Sequence, residues 1–89
     1  LINPDWNTFL NMISEVDPEF IRKLNEKFPT LSKQEIRICL LLKANLTTME
    51  IAELMFVSER TVEKHRLGIR KKMHLSDRES ITNFLNKLV

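Results

Sequence analysis

The 89-residue chain has few of the residues that build turn-rich β folds or disulfide scaffolds. It contains one glycine, three prolines and no tyrosine, which argues against all-β architectures with many tight turns. Its single cysteine, Cys39, excludes an internal disulfide and a zinc site built from cysteines. No apolar run approaches the roughly 18–20 residues of a membrane span, and no charged-then-apolar signal segment opens the chain. These absences predict a protein of a reducing, cytoplasmic compartment with no membrane partner.

Length and composition fit one small globular domain. The chain is 43% hydrophobic and 29% charged, as is typical of globular proteins, and its length leaves no room for a second independent core. It begins with Leu1 rather than with methionine, so we expect that it was cut from a longer protein.

The positive charge is concentrated in one segment. The formal net charge is +2, but residues 58–74 hold six lysines and arginines against two glutamates, and residues 1–30 have an acidic excess. The basic segment also contains both histidines, His65 and His74. A local excess of this kind attracts an anionic partner, although a basic helix face that is only solvated is the ordinary alternative.

Helix start signals recur along the chain and predict an all-α fold. Two are N-cap residues followed by a proline at the first helical position, Asn3-Pro4 and Asp17-Pro18. Three are capping boxes, in which a hydroxyl precedes a glutamate by three residues, at Ser32, Thr47 and Ser76. Ser58 is a further N-cap without the matching acid. Residues 36–42 are apolar on nearly all sides and predict a central buried helix, after which Asn45 suits a left-handed helix end.

Residues 48–65 carry the pattern of a helix-turn-helix. Ile51, Ala52 and Leu54 point inward from a first helix, and Ala52 is small where two helices would cross closely. A turn of three or four residues then leads to a second helix anchored by Val62. The second helix of such a unit is free to enter the major groove of DNA.

Helical geometry divides the second helix into three sides. At about 100° per residue, Val62, Ile69 and Met73 form a narrow apolar stripe. The side away from the stripe carries four residues that we predict to contact base edges or the groove: Glu63, Lys64, Leu67 and Lys71. Basic residues flank the stripe, where they can straddle a groove and reach phosphates: Arg66, Arg70 and Lys72.

Residues 31–88 resemble the LuxR/GerE-type helix-turn-helix DNA-binding domain of bacterial transcription regulators. The matching residues are Leu31-Ser32, Glu35, Leu41-Leu42, Glu50-Ile51-Ala52, Leu54, Val57-Ser58, Thr61-Val62, His65, Ile69 and Lys72-Met73. The resemblance implies four helices, at about 32–44, 48–56, 58–74 and 76–88, preceded here by a two-helix N-terminal extension. It implies that the second of the four is a scaffold, the third reads DNA and the fourth pairs two copies on a two-fold site.

The resemblance also implies contacts residue by residue. Thr61 resembles a phosphate-contacting position, and His65 and Lys72 match basic positions close to the DNA backbone. Lys64 and Leu67 match positions that face the groove floor, with Glu63 beside them. With the flanking arginines, the predicted phosphate contacts are Thr61, His65, Arg66, Arg70 and Lys72. The chain departs from the family pattern at four positions: Asn45 replaces a glycine, Arg37 a glutamate, and Glu63 and Leu67 frequently basic residues.

Two parts of the chain leave alternatives open. Ile81, Phe84, Leu85 and Leu88 form a wide apolar stripe on the last helix, which we predict to contribute contacts to a homodimer; the alternative is that all four belong to the core of one chain. Residues 1–30 are either a structural layer over the central helix or a connector from an upstream sensor or receiver domain, and residues 31–89 form the helix-turn-helix domain.

Nothing in the residues points to catalysis, a metal or a cofactor. His65 and His74 lie nine residues apart, about 180° around one helix, so they do not converge on an ion. Glu35 and Glu50 serve as capping acids, and no glycine-rich phosphate loop is present. We therefore predict that the chain is not an enzyme but binds double-stranded DNA in a sequence-specific way as the output domain of a bacterial transcription regulator. The alternative is a protein-interaction module on the same scaffold without DNA binding.

Overall fold

The computed structural model describes residues 18–88, in which five α-helices and no strand occur. The helices are α1 (Pro18–Lys27), α2 (Lys33–Lys43), α3 (Thr48–Met55), α4 (Glu59–Lys72) and α5 (Ile81–Asn86). The all-α prediction is confirmed, and α1 begins at the proline predicted to open a helix. The helix predicted after Asn3-Pro4 lies outside the described residues.

Two of the three predicted capping boxes are complete. In the box at Ser32, the Glu35 amide donates to Ser32 Oγ (3.1 Å) and the Ser32 amide donates to Glu35 Oε1 (2.8 Å). Thr47 and Glu50 repeat both bonds at the start of α3. These reciprocal bonds satisfy amide groups that a helix N-terminus leaves without partners, which fixes where α2 and α3 begin.

The last helix starts later than predicted. Helix α5 begins at Ile81 with Ser80 as its N-cap, so the predicted start at Ser76 is wrong. Ser76 and Glu79 form half of their box: the Ser76 amide donates to Glu79 Oε1 (3.1 Å), but the Glu79 amide donates to the Ser76 carbonyl rather than to its hydroxyl. Both residues' carbonyl oxygens also accept hydrogen bonds from Arg70, which holds this segment as a turn.

A residue with left-handed backbone follows each of the helices α2, α3 and α4, within two residues of its last position: Asn45 (φ 66°), Phe56 (φ 56°) and His74 (φ 56°). The residue after each one donates its amide to a carbonyl five residues earlier, at 2.9–3.1 Å: Leu46 to Leu41, Val57 to Ala52 and Leu75 to Arg70. These following residues are aliphatic and pack against the core, which offsets the cost of a positive φ outside glycine. The left-handed prediction for Asn45 is confirmed, whereas the roles of Phe56 and His74 were not predicted.

Helix α2 is the centre of the core, as predicted. Residues 38–42 are all buried, and α2 packs against both α4 and α5, while α3 packs against α4. Cys39 is fully buried, and this burial, with a smaller contribution from the Glu35 charge, raises the pKa of its thiol to about 12. The cysteine is therefore a small core residue rather than a reactive thiol.

Helix α1 contributes to the same core. Phe20 and Leu24 are buried in one cluster with residues of α2, α4 and α5, and the ammonium of Lys43 lies 4.9 Å from the centre of the Phe20 ring. This burial favours the covering-layer interpretation for the described part of the N-terminal extension. The division of the chain at residue 30 stays a prediction.

The apolar stripe of the last helix is used inside the chain. Ile81, Leu85 and Leu88 are buried in the core, and Phe84 packs its ring against Phe28 with the ring centres 6.0 Å apart. The prediction that these four side chains contact a second copy is therefore not supported by their positions, which match the intrachain alternative. In residues 18–88, no helix combines the length and the apolar character required to cross a membrane.

Candidate nucleic-acid interface

Helix α4 is anchored along one side and open along the other. Its predicted apolar stripe is buried as expected: Val62 and Ile69 are fully buried and Met73 nearly so. Ser58 caps the helix by accepting the Thr61 amide (3.1 Å), which fixes its first turn beside the end of α3. The helix-turn-helix therefore holds α4 by its underside, and its other faces are available to a partner.

The four residues predicted to contact bases or the groove all lie exposed on α4: Glu63, Lys64, Leu67 and Lys71. Leu67 is apolar but 59% exposed, so packing into the core does not explain why a leucine stands at this position. Glu63 and Leu67, with Arg66 and Arg70, line a shallow depression of about 240 Å³. Their exposure satisfies the geometric requirement of the prediction, and the DNA contacts themselves stay predictions.

Arg66 is connected to the scaffold helix. Its Nη1 donates to Thr48 Oγ1 at 2.7 Å, and Thr48 is the first residue of α3. This bond joins the middle of α4 to the N-terminus of α3, 18 residues earlier in the chain.

Arg70 is connected to the turn that follows α4. Its Nη1 donates to the carbonyl oxygens of Ser76 (3.0 Å) and Glu79. A guanidinium that donates to two main-chain carbonyls fixes the path of the backbone between α4 and α5.

Lys72 is connected to the start of α2 and to the segment before it. Its ammonium donates to Glu35 Oε1 (2.6 Å) and to the Thr30 carbonyl (2.8 Å). Glu35 is 6% exposed and is the one charged residue that is buried among residues 18–88. The ion pair joins the end of α4 to the start of α2. Lys72 thus has an internal role, and the phosphate contact predicted for it stays a prediction.

The Glu35 carboxylate is compatible with the core because its environment stabilises the charge. Burial is the largest single influence and opposes ionisation, but hydrogen bonding by Lys72 and Ser32 and the positive charge of Lys72 together outweigh it and lower the pKa of Glu35. Gly68 permits this arrangement, since a Cβ at that position would lie 3.1 Å from Glu35 Oε2. The Glu35 side chain of α2 therefore occupies the space beside Gly68 that a larger residue of α4 would fill.

The remaining predicted phosphate contacts lie near the start of α4. Thr61 is half-buried, and its Oγ1 lies 3.0 Å from Ser58 Oγ. His65 is half-buried and has no hydrogen bond to another residue within the part of the chain that the structure describes. Both side chains keep some surface through which a phosphate can be reached.

The sequence interpretation did not single out Arg60. It is exposed in the first turn of α4, and counting back from Val62 at about 100° per residue places it on the same side as Lys64 and Lys71. The six cations of residues 58–74 thus form two groups. Arg66, Arg70 and Lys72 bind groups of the domain itself, whereas Arg60, Lys64 and Lys71 have no ion pair or hydrogen bond among residues 18–88.

Comparison with known proteins places this arrangement in a family. Residues 29–85 match the family model described as bacterial regulatory proteins, luxR family. Two similar proteins are both named oxygen regulatory protein NreC. The one from Staphylococcus carnosus is 36% identical over 63 residues, covering 71% of this chain and 29% of its own length. The one from Staphylococcus epidermidis is 32% identical over 81 residues, covering 91% of this chain and 36% of its own. The chain thus spans about a third of the length of these relatives. No solved structure matches significantly.

Proposed function

This chain belongs to the luxR family of bacterial regulatory proteins, and we therefore propose that it binds duplex DNA in a sequence-specific way, with α4 in the major groove. The family is one of DNA-binding transcription regulators and not a class of enzymes. One observation carries the proposal: α4 is anchored by a buried stripe, while Lys64, Leu67 and Lys71 stand exposed on its other sides. A rigid helix with exposed cations is what entry into a groove requires.

The exposed residues suggest how α4 reads bases. The Lys64 ammonium can donate to guanine O6 and N7, the Glu63 carboxylate can accept from cytosine N4, and the Leu67 side chain can contact a thymine methyl. Lys71 adds positive charge within the groove. Thr61 and His65 are the proposed phosphate contacts near the start of the helix, with Arg60 as an addition on the exposed side.

We further propose that the domain is the output part of a longer regulator of the bacterial cytoplasm. Its relatives are about three times as long as the matched region. We therefore propose that a sensor or receiver domain upstream supplies the signal to which this domain responds. The name oxygen regulatory protein belongs to those relatives, and our proposal for this chain does not include oxygen as the signal.

Salt dependence tests the proposal directly. A cognate duplex is selected from a random library with the 89-residue chain, and binding is followed by fluorescence anisotropy from low to physiological salt. The logarithm of the affinity should fall linearly with the logarithm of salt concentration, with a slope of about −0.9 per phosphate contacted. A duplex of scrambled sequence is the control and should bind more weakly. No complex even in dilute buffer would reject the proposal and favour the protein-interaction alternative.

A further inference from the structure

We propose that Arg66 and Arg70 are positioning residues that set the orientation of α4, and not phosphate ligands. The inference rests on the proposed function, since it concerns how that helix meets DNA. Both guanidinium groups already donate to oxygens of the domain: Arg66 to Thr48 Oγ1, and Arg70 to the carbonyls of Ser76 and Glu79.

The geometry of α4 explains why these arginines point inward. With Val62 as the centre of the buried stripe, Arg66 lies about 40° and Arg70 about 80° around the helix, on the border between the core and solvent. A long side chain at this border reaches the neighbouring elements: α3 for Arg66 and the α4–α5 turn for Arg70. Both arginines are only half-exposed, whereas Lys71, on the far side, is exposed.

The two tethers act on different parts of the interface. The Arg66 bond fixes the angle between α4 and the scaffold helix α3, because it links the middle of one to the first residue of the other. The Arg70 bonds fix the turn after α4. Glu63 and Leu67, two proposed base contacts, line one depression with both arginines. A change in helix orientation would therefore move the base-reading side chains relative to the groove, and base-specific contacts are sensitive to such displacements.

Three measurements separate positioning from charge and from stability. For Arg66→Met and Arg70→Met, the specificity ratio between cognate and scrambled duplex should fall about tenfold, the order of one mismatched base pair. Their salt slopes should stay at the wild-type value. For the control Arg60→Met, which removes an exposed cation proposed to contact phosphate, the slope should become shallower by about 0.9 and the affinity for both duplexes should fall. All affinities are measured at a temperature where circular dichroism shows each variant fully folded, so that lost stability alone changes neither quantity.

Thr48→Val tests the Arg66 bond by changing its acceptor and leaving the arginine in place. It removes the acceptor of the Arg66 bond without removing a cation, so it should lower the specificity ratio as Arg66→Met does, with the slope unchanged. The double variant should be no worse than either single one, because both remove the same bond. A shallower slope for the arginine variants, additive effects of Thr48→Val and Arg66→Met, or an unchanged specificity ratio would each overturn the inference.

Failure of the proposed function gives a different result. If the wild-type chain selects no duplex, the proposed function is rejected, and so is the role of Arg66 and Arg70 in DNA recognition. The Arg70 tether is then judged by amide hydrogen exchange, which should accelerate in residues 76–80 of Arg70→Met and stay unchanged there in Lys71→Met. Equal exchange in the two variants would reject the tether as well.

Discussion

Replacing Lys72 by methionine is expected to lower the free energy of unfolding by about 2 kcal/mol at neutral pH. The substitution leaves the Glu35 carboxylate buried without its ammonium partner. This is costly because water does not reach the buried charge well enough to replace the stabilisation that the ammonium gave. Removing one partner of a fully buried pair costs about 3–5 kcal/mol, and we expect less here because the Lys72 side chain is 34% exposed and partly screened. Chemical denaturation monitored by circular dichroism measures the difference.

The loss should depend on pH in a defined direction. The folded-state pKa of Glu35 is lowered from its ordinary value of 4.5, so its contribution to stability is present above that pH and is lost as the pH falls through the folded-state pKa. In Lys72→Met the carboxylate keeps its burial but loses the ammonium, so its folded-state pKa should rise. The difference in stability between the wild type and the variant should therefore shrink as the pH falls through the raised folded-state pKa of the variant towards the lower folded-state pKa of the wild type.

Two further variants isolate the pair. In a Glu35→Gln background, Lys72→Met should cost clearly less than in the wild type, because the uncharged amide does not need the ammonium. Lys71→Met removes the neighbouring exposed cation and should change stability by about 0.5 kcal/mol or less. If Lys72→Met lowers the free energy of unfolding by no more than Lys71→Met does, the ion pair does not stabilise the fold. The same conclusion would follow if the effect of Lys72→Met did not change between neutral and acidic pH.

The features predicted correctly from the sequence are those that local spacing determines. The boxes at Ser32 and Thr47 formed because both partners lie within one helical turn, so no distant residue is needed. The buried stripe of α4 followed from helical periodicity, because Val62, Ile69 and Met73 share one side of the helix wherever the neighbouring helices lie. The same spacing placed Lys64 and Lys71 on the exposed side.

The features that were missed depend on contacts between distant segments. Ser76 has the same local pattern as Ser32, but the Arg70 guanidinium donates to the carbonyls of Ser76 and Glu79, and the helix begins at Ile81, with Ser80 as its N-cap. Lys72 was predicted to contact phosphate because it flanks the apolar stripe of the helix and matches a basic position of the family, whereas its partner Glu35 lies 37 residues away.

The apolar stripe of α5 shows the same limit of local spacing. Helical spacing shows that Ile81 and Leu85 share a face, but it does not show that α2 lies against that face. The Thr82 hydroxyl, which donates to the Leu42 carbonyl at 3.3 Å, marks the contact between the two helices. Surplus apolar residues on a short terminal helix therefore indicate a buried face without indicating whose core buries it.

Replacing Lys64 by alanine is expected to change which sequence the domain prefers. Lys64 is exposed on α4 and has no ion pair or hydrogen bond among residues 18–88, so its ammonium is available to a base edge. Loss of a specific base contact should cost about 1–3 kcal/mol with the cognate duplex and relax the preference at one base-pair position. Selection from a random duplex library, repeated with the variant, reports the preference, and anisotropy with single-substituted duplexes reports the cost.

The way in which the loss of affinity varies between duplexes of different sequence distinguishes a base contact of Lys64 from a phosphate contact. A base contact gives a loss confined to duplexes that carry the original base pair, whereas a phosphate contact weakens every duplex alike, because phosphates do not differ between sequences. Lys87→Ala is the matched control, since it removes another exposed lysine that lies outside α4 and should leave both preference and affinity unchanged. A uniform loss for Lys64→Ala would move this residue to the DNA backbone. An unchanged affinity would mean that α4 does not enter the groove by the side that carries Lys64, and Leu67 and Lys71 would lose their proposed roles with it, because the three residues share that side of the helix.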